Sequence, residues 1–280
     1  MPLAIPAPFN DWIQSWRDML TGLLTGRDHT AQGPEITTRD VIKALAVIIM
    51  VCDHIGYYFY PDNPWWRAFG RIGFPVWFFF AGYSRTGGFS HQLIPGILAI
   101  MLAKAICFGT VLPLNALVTI LIIRYLITLI PPDFYLRTPD KFISVLVAGV
   151  LATLFYGPTN MLFEYGSVGL FFGYLGYACY HTPDSLKRRI LALTAFMAFI
   201  ISQYQGFHMQ TWPHAAIALS SIGTAITCLW LYNFKSGPAS GQLYLRWGGP
   251  LWRGLGRHTL LIYTGHIVLF LILRQIFFRH

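Results

Sequence analysis

The run Asp40 to Tyr60 (DVIKALAVIIMVCDHIGYYFY) has the length and apolar content of a membrane-crossing helix, yet it carries Asp53 and His54 well past its first turns. A titratable group at that depth is costly unless it is paired or faces a cavity, and such groups mark pathways and chemistry. The structural alternative is a histidine satisfied by a neighbouring helix. Lys43 precedes His54 by eleven residues, about 16 Å along a helix axis and close to three full turns, so the two project from nearly the same face. Asp53 points away from that face, because consecutive helical residues diverge by about 100°. It is expected to meet a basic residue on another span, with Arg71, Lys104 and Arg124 as candidates.

Of the 280 residues, 55% are hydrophobic and only 11% charged, against about 25% charged in soluble domains. This excludes a soluble enzyme and predicts an all-α, polytopic transmembrane bundle. Its apolar runs number about nine to ten by the rule of roughly 17–25 residues per span, at approximately 40–60, 66–83, 93–111, 114–131, 142–157, 166–181, 189–205, 212–232 and 258–278. The formal charge of +9 does not point to nucleic acid, because the basic residues fall between apolar runs. With the N-terminus cytoplasmic, the expected inner loops hold Arg85, Arg137, Lys141, Lys187, Arg188, Arg189, Lys235, Arg246, Arg253 and Arg257, and the outer ones few cations, a positive-inside pattern. Cys52, Cys107, Cys179 and Cys228 lie in separate apolar runs and read as small buried hydrophobes. No metal-binding motif, phosphate loop or nucleophile elbow is present.

Two domains are expected. In residues 1–36, Trp12, Ile13, Trp16, Met19, Leu20, Leu23 and Leu24 recur at helical spacing, which predicts an amphipathic interfacial helix followed by a polar linker. Residues 37–280 form the transmembrane domain, with Thr37 or Thr38 capping its first span. Gly166, Gly169, Gly173 and Gly176 permit close helix contact, within the chain or in a homodimer. The last span carries Tyr263 and His266, three residues apart and so on one face. Glu164 stands just before the glycine-rich run.

A basic residue near the cytoplasmic surface and an imidazole deep in the bilayer suit acyl transfer from coenzyme A: cations hold the phosphates, and the imidazole takes a proton from an incoming amine or hydroxyl or carries the acyl group itself. The residues just named also carry a resemblance. Lys43, the Asp53–His54 pair with Gly56 (DHIG), Arg67, Gly70, Arg71, Phe74 and Pro75 (GRIGFP), Glu164–Tyr165–Gly166, and Ile262–Tyr263 with His266 resemble elements of the TraX family. Its members are membrane acetyltransferases named for acetylating the N-terminus of conjugative pilin. Asp40, Lys43 and His54 are also similar to the first helix of the acyltransferase-3 and lysosomal glucosaminide acetyltransferase groups, where arginine usually stands at the position of Lys43. Here Ala81 replaces a serine of those groups, and Glu164 stands where TraX relatives often have aspartate.

The resemblance implies a bacterial inner-membrane acetyltransferase using acetyl-CoA as acyl donor, with a protein N-terminus or an envelope glycan as acceptor. His54 is the expected base, with Asp53, Arg71 and Glu164 shaping the site. Lys43, Arg85, Arg124 and His266 are expected to bind the donor. A proton-coupled transporter using the same ionisable groups as a relay is the alternative, although no two-fold repeat is visible. A structural membrane subunit docking a partner through its N-terminal helix is the third.

Overall fold

The computed structural model describes residues 36–83, 92–129, 138–154, 156–206, 209–239 and 249–277. The expected interfacial helix lies outside these residues, as do Arg85, Arg137 and Arg246. Among the described residues the chain is helical, apart from turns and two isolated bridges, Thr37 to Pro238 and Leu114 to Phe163.

The first helix, α1 (Thr38–Phe59), starts on a capping box. Thr37 Oγ1 accepts the Asp40 amide at 3.2 Å, and Asp40 Oδ2 accepts the Thr37 amide at 3.1 Å, so two otherwise orphaned donors are satisfied at once. A tight turn leads to α2 (Pro64–Gly70), whose cap is Asn63 and whose first residue is a proline with no amide to lose.

The second expected span is not one helix. It breaks into α2, a single 3₁₀ turn at Arg71–Gly73, and α3 (Phe74–Gly82). The cause is Pro75, which has no N–H to give the Arg71 carbonyl four residues back. The tighter turn lets the Phe74 amide serve that carbonyl instead. Arg71 therefore sits at a helix break, the kind of element that lines cavities in membrane proteins.

α2 and α3 run antiparallel to α1. Going down α1, Gly56 meets Trp66, Asp53 meets Gly70, Ile49 meets Gly73, and Arg39 stacks on Phe80 at 5.0 Å. Gly70 is required here, because a Cβ would fall on the Cα and Cβ of Asp53.

The remaining helices are α4 (Leu93–Phe108), α5 (Ala116–Leu129), α6 (Pro139–Leu154), α7 (Tyr156–Leu162), α8 (Gly166–His181), α9 (Ser185–Gly206), α10 (His214–Tyr232), α11 (Gly249–Arg257) and α12 (Thr259–Phe277). Arg257 pairs with Asp40, and His266 with His54. Both ties ascend in sequence, so α12 runs parallel to α1. α4 runs parallel to α12, with Gly96 against Thr264 and Phe108 against Arg274. α1, α4 and α12 thus begin at one end of the bundle.

The glycine stripe of α8 is used inside the chain. Gly176 packs on the Phe79 carbonyl, Gly82 of α3 on the Gly173 carbonyl, and Gly173 on Ile123 of α5. Small residues let backbones approach where apolar burial gives little drive in lipid. Phe74, Phe78, Phe172 and Phe199 fill the seam, with Phe74 ring centroids 5.0–5.6 Å from the other three.

Three helices, α1, α10 and α12, are long and apolar enough to cross a membrane alone. The nine or so expected spans are not nine long, straight helices. α4 and α5 are apolar but short, and α6 and α7 meet at a 74° bend that brings the total to four if they form one span. α8 has only 16 residues. α9 has 22, but it opens on Lys187, Arg188 and Arg189 and closes on Gln203 and Gln205, which lowers its mean hydropathy. Short and broken elements are tolerated at membrane depth where protein covers them.

Candidate functional site

His54 lies on α1 four turns beyond its start and faces α12. Its Nδ1 is 2.7 Å from His266 Nε2, and His266 Nδ1 is 2.6 Å from the Ile262 carbonyl oxygen. The rings are nearly stacked, with centroids 4.9 Å apart. A carbonyl only accepts, so His266 carries its proton on Nδ1. With both rings neutral, His266 Nε2 accepts the Nδ1–H of His54 and leaves the lone pair of His54 on Nε2. The network assigns these tautomers. The carbonyl comes from the turn before His266 on its own helix, so α12 supplies both the partner and the group that orients it.

Asp53, one position earlier, turns to the opposite side and meets two arginines. Arg67 Nη1 donates to Asp53 Oδ2 at 2.8 Å and to the Asp53 carbonyl at 3.3 Å. Arg71 Nε lies 3.6 Å from Asp53 Oδ1. Arg71 is buried to 1% exposure, and its guanidinium also lies 5.5 Å over the Tyr165 ring. Two cations thus share one carboxylate, and the cluster keeps a positive charge in a dry setting where it acts at full strength. Arg67 stands one helical turn before Arg71, a spacing visible in the sequence, but it was not among the cations expected to meet Asp53.

Tyr165 packs on Phe74 with ring centroids 4.6 Å apart and carries a backbone φ of 67°. That left-handed conformation is strained for a bulky side chain. It is held by the Tyr165 amide donating to Asn160 Oδ1 and by the ring contacts around it. Strain of this kind collects at functional sites.

These residues border a cavity of about 130 Å³. Asp53, His54, Arg71, Tyr165 and Tyr263 line it, against an apolar wall that includes Met50 and Phe78. Its lining runs from Asp53, His54 and Arg71 to Leu93 and Leu260. Leu93 and Leu260 belong to the first turns of α4 and α12. The cavity therefore extends from His54 toward the end of the bundle where α1 begins.

That end is basic. Lys43 lies two turns before Met50 on the same face of α1, and Arg124 one turn beyond Ile120 on α5. The charges of Arg39 and Arg124 repel each other, and Arg39 is steadied by Phe80. Lys141, Lys187, Arg188, Arg253 and Arg257 belong to helix ends or loops on the same side. The expected charge-bearing residues thus separate into two groups, with Lys43 and Arg124 at the mouth and Asp53, His54, Arg71 and His266 at the deep end. His266, expected to help bind the donor, lies at the deep end and contacts His54.

Glu164 stands apart from both groups. Its Oε2 accepts the Ala116 amide at 3.1 Å, its backbone carbonyl accepts the Thr119 hydroxyl at 2.6 Å, and its own amide donates to the Leu114 carbonyl. It caps α5 and places Ala116 and Leu117 on the cavity wall, but does not itself line the cavity. Lys104 donates to the Pro113 carbonyl beside it. Among the described residues no group of three or more His, Cys, Asp or Glu side chains is arranged to hold a metal ion.

No solved structure matches the chain. Over 168 residues it is 32% identical to the uncharacterized protein RP591 of Rickettsia prowazekii (strain Madrid E), a match covering 59% of this chain and 62% of that relative. The chain thus spans less than two thirds of the relative's length. The sequence pattern described as TraX protein matches residues 38–274, from the first residue of α1 to Arg274 in the last turns of α12 and across every residue of the cavity. The chain belongs to the TraX family.

Proposed function

We propose that this membrane protein transfers an acetyl group from acetyl-CoA to an amine or hydroxyl acceptor, with His54 as general base. The observation that carries the reading is the chain from the Ile262 carbonyl through His266 to His54, which leaves one basic nitrogen on a cavity-lining ring. The acceptor gives its proton to His54 Nε2 and attacks the thioester carbonyl. The positive Asp53–Arg67–Arg71 cluster favours the negative charge that develops. Collapse expels the CoA thiolate, which takes the proton back from His54. An acetyl-histidine intermediate is the other route, and trapping labelled acetate on His54 separates the two.

In this reading the phosphates of the donor stay at the basic mouth, where Lys43 and Arg124 hold them, about 16 Å from His54 along α1, with Arg85 proposed as a third contact. The crowding of basic residues at this end supports a cytoplasmic α1 start and an inner-membrane location. The family resemblance favours a pilin N-terminal amine as acceptor, with an envelope glycan as competitor.

Purified in detergent, the protein is expected to release thiol from acetyl-CoA, and His54→Ala to lower kcat by about 10²–10⁴-fold. Full activity in His54→Ala removes the proposed base. The buried histidine pair also suits a proton relay. Substrate-driven proton flux in proteoliposomes without thiol release would favour that transporter reading.

A further inference from the structure

Tyr263 lines the cavity and carries a hydroxyl that the packing around it does not use. It is 9% exposed, and its hydroxyl is fully enclosed with no hydrogen-bond partner among the described residues. The oxygen lies beside the Ala116 amide, which is already donated to Glu164 Oε2. Enclosing a hydroxyl without a partner is destabilising. A phenylalanine would fill the same space at no such cost, so packing does not explain the oxygen.

Its position does. Tyr263 precedes His266 by three residues on α12, and the two flank His54. The His54 and Tyr263 rings meet edge to face with centroids 6.1 Å apart, and those of Tyr263 and His266 are 5.9 Å apart. Asp53 and Arg71 form an ion pair, Arg71 lies over the Tyr165 ring, and His54 meets His266. The Arg71 cluster supplies a field, but its guanidinium is tied to a carboxylate. A group reacting at His54 needs a donor aimed at the oxygen where charge appears.

We propose that the Tyr263 hydroxyl donates to the thioester carbonyl oxygen of the acyl donor and stabilises the tetrahedral oxyanion, which makes Tyr263 a catalytic residue; the proposal rests on the transferase reading above. As the acceptor nitrogen bonds to the acetyl carbon, its proton passes to His54 Nε2. The carbonyl π pair moves onto oxygen, where the Tyr263 O–H holds it. When the carbon–sulfur bond breaks, that pair re-forms the carbonyl and the thiolate takes the proton from His54. Tyr263 keeps its own proton throughout.

The test uses the full chain in detergent micelles, acetyl-CoA as donor, and water or glycylglycine as acceptor, with thiol release as the readout. Tyr263→Phe is expected to lower kcat by about 10²–10³-fold, to leave KM for acetyl-CoA within twofold, and to unfold at or above the wild-type temperature, because an unpaired polar group has been removed. Activity within threefold of wild type overturns the proposal while His54→Ala, still inactive, preserves the transferase reading. A loss appearing mainly in KM assigns Tyr263 to ground-state binding and also overturns it. Should Tyr263→Phe fold poorly, 3,5-difluorotyrosine at this position keeps the hydroxyl and the packing. Its more acidic phenol is expected to shift the alkaline limb of the kcat profile to lower pH, and an unmoved limb counts against the role. A wild-type protein that releases no thiol with either acceptor removes both readings.

Discussion

Asp40 and Asp53 stand thirteen residues apart on one helix, and both pair with arginine. Asp40 meets one, Arg257, at 3.3 Å, at the end of the bundle, and also closes the capping box of α1. Asp53 meets two, Arg67 and Arg71, four turns into α1 and with Arg71 wholly enclosed. The first arrangement ties one helix to another. The second leaves a surplus cation on a cavity wall, and nothing about tying helices requires that surplus. The same residue pairing thus serves assembly at one depth and electrostatics at another.

The sharpest way to break the comparison is to remove each carboxylate. Asp53→Ala leaves two guanidiniums uncompensated inside the bundle and is expected to cost about 3–5 kcal/mol, read as loss of unfolding free energy in detergent. Should its cost match that of Asp40→Ala, the distinction between the sites disappears. Gly70→Ala attacks the deep site without touching a charge, by pushing a methyl group into Asp53. A penalty of about 1–3 kcal/mol is expected, together with reduced thiol release as the Asp53–Arg71 geometry shifts. Asp40→Ala loses a cap worth about 1 kcal/mol and a partly exposed ion pair worth about 0.5 kcal/mol, with kcat unchanged. The smallest effect belongs to the mouth. Lys43→Gln is expected to raise KM for acetyl-CoA about fivefold, just under 1 kcal/mol, with stability and kcat unaffected. A fall in kcat there would place Lys43 nearer the chemistry than the 11-residue spacing allows.

Much of the deep site was legible in the chain. An imidazole in an apolar run cannot be ignored, and Asp53, turned away from His54 by helical geometry, had to find a cation. Arg71 was among its candidates. Arg67 was not, because its distance from lipid depends on where the helix breaks. The signals for that break, Gly70, Gly73 and Pro75, sit inside what reads as one apolar run at 66–83. The partnership of His54 and His266 lay beyond any local pattern, since 212 residues separate them. Glu164 drew attention as a rare acid, and its neighbourhood was right, but its carboxylate caps a helix. The close packing of the α8 glycines followed from their spacing; that the contacts fall on α3 and α5 needed the folded chain. The left-handed backbone of Tyr165 leaves no trace in composition, because the residue is a tyrosine where a glycine or asparagine would be expected.

The meeting of α1 with α12 also bears on how the protein comes into being. The imidazole is made 212 residues before the ring that orients it. During synthesis the half-finished bundle holds a histidine with no settled tautomer and a cavity without one wall. On the transferase reading proposed above, activity at this centre waits for α12, and a product truncated before Thr259 is expected to release no thiol from acetyl-CoA.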